Sequence, residues 1–368
     1  MPTTTVRAAV SRAFRAPVAI EEVELSSPLR DEVRVRLGAV AICHSDIAYL
    51  DDYWGGDLPA VWGHEASGTV TEIGAAVSTA VPGDRVVVSL VRSCGTCHRC
   101  AQGRSVACTG SFERGSDSPL RAADGAPITH GLRTAAFAEE VVVHASQVVR
   151  IPDDLAFGPA ALLSCGVVTG FGAVANTAGV EPGSSVVVIG TGGVGLHSVQ
   201  GARLAGASTI IAVDVSGSKL DWARRLGATL VASPLDADVP AFVADATGGA
   251  MADYVFVTTG APPALQSSHE LVASTGALVL VGMPATGVTM NLDVGTFAAL
   301  NQRVLGSRMG TTTLARDVPK LVALYQRGDL ELDALISGTY PFSAINDGID
   351  DAREGRSIRN VITFEQAS

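Results

Sequence analysis

The stretch V-V-V-I-G-T-G-G-V-G-L, residues 186–196, decides the fold class that we predict for this chain. Its first residues are apolar and β-branched, as in a buried strand, and the turn G-x-G-x-x-G follows at Gly190, Gly192 and Gly195. Alone, that hexapeptide could be an ordinary turn in a chain that holds 40 glycines. A helical pattern follows it up to Gln200, however, and a strand, a glycine turn and a helix in this order are typical of a dinucleotide-binding unit.

The residues around this turn predict contacts to NAD. The glycines permit close approach of a pyrophosphate, and the N–H groups at the helix start, with Gly193 and Val194, would point at the phosphates. Asp214 ends the next strand pattern, 19 residues after Gly195, where a carboxylate would accept hydrogen bonds from the adenosine ribose. That carboxylate would repel a 2′-phosphate, which favours NAD over NADP. Lys219 is a second candidate for the ribose, although both residues also suit an ordinary polar surface.

The pattern along the chain predicts two domains. Strand-like runs separated by Gly, Pro and Asp fill the first 150 residues. From about residue 167 strand and helix patterns alternate, which indicates parallel strands with right-handed crossovers. The tail has two helical patterns and a final strand, N-V-I-T-F, and is expected to rejoin the first domain. We predict an α/β fold, with a doubly wound parallel Rossmann sheet in 167–308 and a strand-rich domain formed by 1–166 and 309–368.

Composition limits the classes of function. The 368 residues exceed one typical domain, and 47% hydrophobic with 17% charged residues indicates a folded, soluble protein without a membrane-spanning segment. The net charge of −11 argues against a nucleic-acid partner. The chain begins M-P-T-T-T-V without the apolar core of a signal peptide, so we expect a reducing, cytoplasmic location.

Four of the six cysteines lie in one short loop, S-C-G-T-C-H-R-C-A-Q-G-R-S-V-A-C. In a reducing compartment such a cluster indicates a metal site rather than disulfides. The spacing C-x2-C-x2-C-x7-C suits zinc or iron, but a bacterial iron–sulfur run normally ends in Cys-Pro. His98 is surplus to four thiolates and is read as a solvated loop residue. We predict a closed structural zinc site on Cys94, Cys97, Cys100 and Cys108.

The other two cysteines are Cys43 in A-I-C-H-S-D and Cys165 in L-L-S-C-G-V, and G-H-E with His64 lies between them. A lone buried cysteine is usually a small core residue. Two thiolates and one imidazole would instead give zinc three protein ligands and one open position, which is the catalytic arrangement. Spacing alone does not show that the three residues meet.

At this point the sequence closely resembles the zinc-dependent medium-chain alcohol dehydrogenases. The resemblance covers essentially the whole chain and rests on C-H-S-D, G-H-E, the four-cysteine loop, L-L-S-C-G, G-T-G-G-V-G with Asp214 and Lys219, and the closing G-R-S-I-R. It implies a catalytic zinc on Cys43, His64 and Cys165, a structural zinc on the other four cysteines, and a GroES-like catalytic domain split around the Rossmann domain.

The resemblance also assigns roles to single residues. Ser45 matches the hydroxyl that bonds the substrate oxygen and carries its proton outward. Asp46 would orient His64, and Glu65 matches a carboxylate near the metal. Two further residues match positions that contact the cofactor pyrophosphate, although each could be an ordinary surface residue: His44 and Arg359.

Some positions depart from the pattern. Ala48 stands where some relatives carry a proton-relay histidine. Trp54 takes a place that often holds a smaller side chain, and Gly131 replaces an aromatic wall of the small-alcohol enzymes. With Leu90 as the third pocket residue, these changes predict a site reshaped for a bulky or aromatic substrate. The absence of an acidic residue near Trp54 argues against the glutathione-dependent formaldehyde branch.

These observations predict an NAD-dependent zinc alcohol dehydrogenase that interconverts a primary or secondary alcohol and its carbonyl compound. One rival is the zinc-free reductase branch of the superfamily, which has no use for the seven matched ligands. A second is a non-catalytic cofactor-binding protein, and a third is a dehydrogenase that holds NAD permanently and uses an external acceptor. The resemblance implies a homodimer or homotetramer.

Overall fold

The computed structural model describes residues 2–365. The chain forms two compact units, of which one comprises Met1–Cys165 and Thr313–Ser368 and the other Gly166–Thr312. The second unit thus begins at residue 166 against the expected 167 and ends at 312 against the expected 308. Both boundaries fall in the region where the sequence pattern changes.

Strands dominate the first unit, and strands and helices alternate in the second. The strands of the described residues, β1 to β18 in chain order, are Thr3–Ser11, Ala19–Ser26, Glu32–Ile42, Ala60–Val61, Glu65–Ile73, Arg85–Ser89, Leu120–Arg121, Thr129–His130, Glu140–His144, Val148–Arg150, Ser185–Ile189, Thr209–Val213, Leu230–Ala232, Ala252–Val257, Val272–Leu280, Arg303–Gly306, Ile336–Pro341 and Arg359–Thr363. The α-helices, α1 to α11, are His44–Leu50, His98–Ala101, Phe157–Leu162, Val168–Gly172, Gly193–Leu204, Gly217–Leu226, Val239–Ala246, Pro262–Ser267, Val294–Ala299, Leu314–Gln326 and Ile345–Arg353.

The first unit contains two sheets. One has the order β7-β2-β1-β4-β8, and the other has the order β10-β6-β5-β3-β18-β17 with β9 also paired to β3. The final strand β18 runs antiparallel to β3, with Asn360 opposite Ile42, so the tail returns to the first unit. Alternating apolar residues of these strands meet in one core around the fully buried Phe137.

The second unit contains one sheet of six parallel strands, in the order β13-β12-β11-β14-β15-β16. The strand order reverses at β11, on which β12 and β14 lie on opposite sides, and this is the doubly wound order of dinucleotide-binding sheets. Strand β11 is S-V-V-V-I, and its valines are fully buried because both faces of a parallel sheet are covered. The predicted fold class is confirmed.

One helical stretch, Phe157–Ala178, is long and apolar enough to cross a membrane by length and composition. Of its most apolar window, 83% is buried inside the protein, which is typical of a core helix. The stretch is not uniformly α-helical, because wider π-type turns occupy Leu163–Val167 and Ala173–Ala178. Such turns are frequent at functional sites, and the first of them contains Cys165.

Candidate metal and cofactor sites

A buried cluster of four metal-ligating side chains lies in the first unit. In it, one ligand atom from each residue lies within 4.8 Å of the others, and the members are Cys43, His64, Glu65 and Cys165. Three of these residues are the expected catalytic ligands. The fold therefore brings together side chains that the sequence alone leaves 122 positions apart, from 43 to 165.

The sheet explains how these ligands meet. Cys43 follows the last residue of β3, and Glu65 begins β5, where it is paired with Ala41 of β3. A hydrogen bond from β6 holds the backbone next to Cys165. Ser89 Oγ, at the end of β6, donates it at 2.6 Å to the carbonyl of Ser164, the residue before Cys165. Ser89 is fully buried and was not singled out by the sequence, where it is one serine among many.

Asp46 holds the cluster together and is completely buried. Its Oδ1 lies 2.9 Å from Nδ1 of His64 and accepts the N–H of Gly63 at 3.1 Å, while its Oδ2 accepts the N–H of Cys43 at 3.0 Å. One carboxylate therefore orients two expected ligands, Cys43 and His64, and also the backbone of Gly63, which precedes His64. This network places Asp46 where a carboxylate sets the ring orientation and basicity of a metal-bound histidine.

The remaining ring nitrogen of His64 tests whether the site suits a metal. Nε2 is buried and has no hydrogen-bond partner among the described residues. Leaving such a nitrogen unsatisfied costs about 1–3 kcal/mol, and coordination to a cation would satisfy it. Because the thiols of Cys43 and Cys165 lie beside it, the donor set is two sulfurs and one nitrogen, which fits zinc.

Glu65 and Arg359 form a buried ion pair beside these ligands, with Arg359 Nη2 donating to Glu65 Oε2. Burial raises the pKa of Glu65 to about 7, although the Arg359 guanidinium acts in the opposite direction. Arg359 is only 4% exposed, so the residue expected at the pyrophosphate contacts the carboxylate expected near the metal. A charged pair of this kind keeps both side chains fixed in the cluster.

The four-cysteine loop forms a second cluster, whose sulfurs also lie within 4.8 Å of one another. The Sγ atoms of Cys97 and Cys108 are 3.9 Å apart, close to the roughly 3.8 Å separation of ligands in tetrahedral zinc with 2.3 Å Zn–S bonds. Backbone N–H groups donate to the sulfurs, from Cys97 to Cys94 and from Cys94 to Cys108, each at 3.2 Å. Backbone hydrogen bonds lower the pKa of Cys97 to about 5, which favours the thiolate that zinc requires. The loop fits structural zinc.

The glycine turn lies between β11 and α5, as the sequence predicts. A side chain at Gly195 is excluded, since its Cβ would lie 1.9 Å from the carbonyl oxygen of Gly190. Asp214 directly follows β12, and its Oδ2 accepts the N–H of Thr191 in the turn at 2.6 Å while Oδ1 accepts the N–H of Ser216. Lys219 is half-buried in α6. Asp214 thus shapes the turn through these hydrogen bonds, and its contact to the ribose stays a prediction.

The remaining expected site residues lie as follows. Ser45 is half-buried and His44 exposed in the first turn of α1, directly after Cys43. Trp54 and Leu90 are half-buried. Ser45 therefore lies two residues after the ligand Cys43, in the first turn of the helix that begins there.

Gly131 is buried for a steric reason. A Cβ there would lie 2.3 Å from the carbonyl oxygen of Val61 and 2.5 Å from the Trp62 ring. The Trp62 ring stacks on Tyr49 at 4.6 Å, and Tyr49 meets Trp54 edge to face at 5.3 Å. An aromatic residue that directly follows β4 therefore packs against the backbone at Gly131, and no local sequence pattern indicates this contact.

A parallel nucleotide-type sheet and a buried cysteine–histidine cluster in a strand-rich unit together define a zinc-binding dehydrogenase. Family comparison agrees, since the zinc-binding dehydrogenase family matches residues 193–327 and the alcohol dehydrogenase GroES-like domain matches residues 29–153. The chain is 36% identical to alcohol dehydrogenase 1 of Pisum sativum over 98% of this chain and 97% of that protein. It is 34% identical to the NDMA-dependent alcohol dehydrogenase of Amycolatopsis methanolica, with 97% and 98% covered.

Solved structures give the same result. Benzyl alcohol dehydrogenase from Acinetobacter calcoaceticus superposes with a TM-score of 0.91 at 32% identity, covering 98% of this chain and 100% of that one. An NADP-bound zinc-binding dehydrogenase, described as putative, from Sinorhizobium meliloti 1021 superposes with a TM-score of 0.82 at 27% identity, covering 98% and 99%. The chain belongs to the zinc-dependent medium-chain alcohol dehydrogenase family. It is accordingly an oxidoreductase that acts on alcohols or carbonyl compounds as small-molecule substrates and uses zinc and a nicotinamide cofactor.

The Asp46 network leads to a prediction about metal affinity. Asp46→Asn keeps an acceptor oxygen but removes the charge that holds the His64 ring, so we expect zinc affinity at the cysteine–histidine cluster to fall roughly 10- to 100-fold. Competition with a chromophoric chelator measures this loss. Because Asp46 does not contact the four-cysteine loop, zinc at that loop should be retained, and an unchanged affinity at the first cluster would show that Asp46 does not orient the ligand.

Proposed function

We propose that the protein is an NAD-dependent zinc alcohol dehydrogenase acting on a bulky or aromatic primary or secondary alcohol. The observation that carries this proposal is the unpartnered, buried Nε2 of His64, which lies beside the sulfurs of Cys43 and Cys165. No described hydrogen bond explains that arrangement, whereas a metal with one open position would.

Each residue of the cluster has a distinct task in the reaction. Cys43, His64 and Cys165 would hold the catalytic zinc. When bound, zinc supplies a Lewis acid that lowers the pKa of an alcohol or polarises a carbonyl, and the nicotinamide ring accepts or donates the hydride. Ser45 Oγ takes the hydroxyl proton during oxidation and passes it outward, and returns it during reduction. Since Ala48 offers no titratable group, we propose that this proton continues through ribose hydroxyls and water.

Residues of the second unit would bind NAD. The amides of Gly192, Gly193 and Val194, at the start of the 12-residue helix α5, would donate to the pyrophosphate. Asp214 would accept from the ribose hydroxyls, with Lys219 nearby in α6. We assign His44 and Arg359 of the first unit to the pyrophosphate as well; for Arg359 this requires it to share its guanidinium with Glu65.

The choice between NAD and NADP depends on Asp214. Asp214→Gly removes the charge that would repel a 2′-phosphate, so the ratio of kcat/KM for NAD over NADP should fall at least roughly tenfold, or about 1.4 kcal/mol. Asp214→Asn is a second test of the charge, because it removes the carboxylate charge while its single amide oxygen can still accept one of the two N–H groups, that of Thr191 or that of Ser216. A ratio unchanged in both variants would contradict the ribose assignment.

The substrate class depends on the aromatic residues near the expected pocket. Trp54, Leu90 and Gly131 are the assigned pocket positions, and similarity to a benzyl alcohol dehydrogenase supports an aromatic substrate. Trp54→Leu should lower kcat/KM for benzyl alcohol roughly tenfold, since an aromatic contact contributes about 0.5–1.5 kcal/mol beyond its buried area. Ethanol is the matched control substrate and should be affected far less. An equal loss of kcat/KM for both alcohols would show that Trp54 does not contact the substrate.

Permanently bound NAD is the second candidate, favoured by the 34% identity to an NDMA-dependent alcohol dehydrogenase. Native mass spectrometry of the purified protein distinguishes the two. Retained NAD would indicate an external electron acceptor, and its absence would indicate an exchangeable cofactor. The same spectrum reports the assembly, which we propose is a homodimer or homotetramer. We also propose a cytoplasmic location, where the six thiols stay reduced for metal binding.

A further inference from the structure

A polar cavity of about 300 Å³ lies in the first unit. Its lining includes three guanidinium groups, those of Arg92, Arg114 and Arg133, together with the carboxylates of Glu32 and Asp117. Within the described residues, neither the zinc ligands nor the three assigned pocket residues line it. One water molecule takes about 30 Å³ of liquid volume, so the cavity has room for a small ion with several waters.

Two of the charged residues that line this cavity pair with each other. Arg114 donates through Nε and Nη2 to the two carboxylate oxygens of Glu32, at 2.6 and 2.5 Å, and both side chains are buried. His144 Nε2 lies 3.2 Å from Oδ2 of Asp31. The Arg114–Glu32 pair is satisfied within the wall, and the exposed Asp117 is the remaining lining carboxylate.

Two guanidinium groups remain without a carboxylate. In the described part of the chain, no carboxylate oxygen lies within 4 Å of a side-chain nitrogen of Arg92 or Arg133. Arg92 instead lies 4.1 Å above the Phe112 ring and makes a long 3.5 Å contact to the carbonyl of Gly115, and its Nε is buried without a partner. Arg92 and Arg133 therefore line the cavity without a carboxylate partner of their own among the described residues.

We propose that this cavity binds a small oxyanion, the phosphate or carboxylate group of a metabolite, through Arg92 and Arg133. Guanidinium groups match such oxyanions in charge and in the planar arrangement of their donors. Arg92 lies two residues before the zinc ligand Cys94, and the intervening Ser93 donates its N–H to Ser146 Oγ at 2.9 Å. An anion bound to Arg92 would therefore restrict the motion of the chain just before Cys94 and slow the loss of structural zinc.

Isothermal titration calorimetry with sodium phosphate tests the proposal on the zinc-loaded protein, at constant ionic strength set with sodium chloride. The wild-type protein should bind one phosphate per chain in a saturable manner. Arg92→Met and Arg133→Met should each weaken binding at least roughly tenfold, because each removes charge-assisted hydrogen bonds. Methionine keeps an unbranched apolar stem, so Arg92→Met preserves packing on Phe112, and two zinc ions per chain would verify an intact fold.

Arg99→Met is the matched control, because Arg99 is exposed on the same loop and does not line the cavity. It should bind phosphate as the wild-type protein does. A parallel titration with sodium acetate distinguishes the ligand groups: binding of both ions assigns the site to carboxylates as well, and binding of phosphate alone assigns it to phosphorylated ligands. The proposal is wrong if neither ion shows saturable binding, or if Arg92→Met and Arg133→Met bind as tightly as Arg99→Met.

Discussion

His64→Ala is expected to lower kcat/KM for alcohol oxidation by at least about 10³-fold. A Lewis-acid metal contributes several kcal/mol of transition-state stabilisation, and each 1.4 kcal/mol corresponds to about a tenfold change in rate. The substitution removes the only nitrogen of the buried donor set and leaves Asp46 without the ring that it orients. Steady-state kinetics with NAD and a bulky alcohol measures the effect, and Cys43→Ala should give a loss of similar size.

Two readouts separate this loss from misfolding. The variant should still bind NAD, as measured by fluorescence titration, because the glycine turn and Asp214 belong to the second unit. It should also retain one zinc per chain, on the four-cysteine loop. Activity near the wild-type level in both His64→Ala and Cys43→Ala would contradict the zinc-dependent mechanism. A protein that binds NAD but shows no turnover even as wild type would instead support the non-catalytic alternative.

Cys100→Ser should produce the largest loss of stability. Structural zinc contributes roughly 10 kcal/mol or more to the folding of small zinc-binding domains. If only about 4 kcal/mol of this is coupled to the first unit, its Tm falls by roughly 8–16 °C. The zinc would keep only three of its four thiolate ligands. The loop has little other stabilisation, since its helix α2 spans only His98–Ala101 and has no buried residues. Differential scanning calorimetry measures the shift.

His98→Ala is the matched control for this experiment. His98 lies between two of the ligands but is exposed, and it is not part of the four-sulfur cluster. Its replacement should leave both the zinc content and the Tm within error of the wild-type values. If His98→Ala destabilised the protein as much as Cys100→Ser, the metal would be held by a different ligand set from the one that we assign.

The sequence by itself determined the features that depend on residues close together in the chain. The glycine turn after S-V-V-V-I could be predicted because a strand, a tight turn and a helix start within a dozen residues and impose local steric demands, such as the exclusion of a Cβ at Gly195. The four-cysteine loop could be predicted because short spacing allows its sulfurs to converge. The alternation of strand and helix patterns likewise indicates the parallel sheet.

Only the tertiary structure decided which distant residues meet. The convergence of Cys43, His64 and Cys165 depends on the pairing of β3 with β5 and on the Ser89 anchor, which local patterns do not encode. The family resemblance supplied that ligand set in advance, whereas residue spacing could not.

The structure also changed the meaning of single residues. Arg359 pairs with Glu65 in the interior, and Gly131 is a glycine because Val61 and Trp62 occupy the space of its side chain. Both results arise from contacts between residues that are far apart in the chain. Burial, and the contacts that it imposes, are set by the whole fold, and for this reason they could be read only from the tertiary structure.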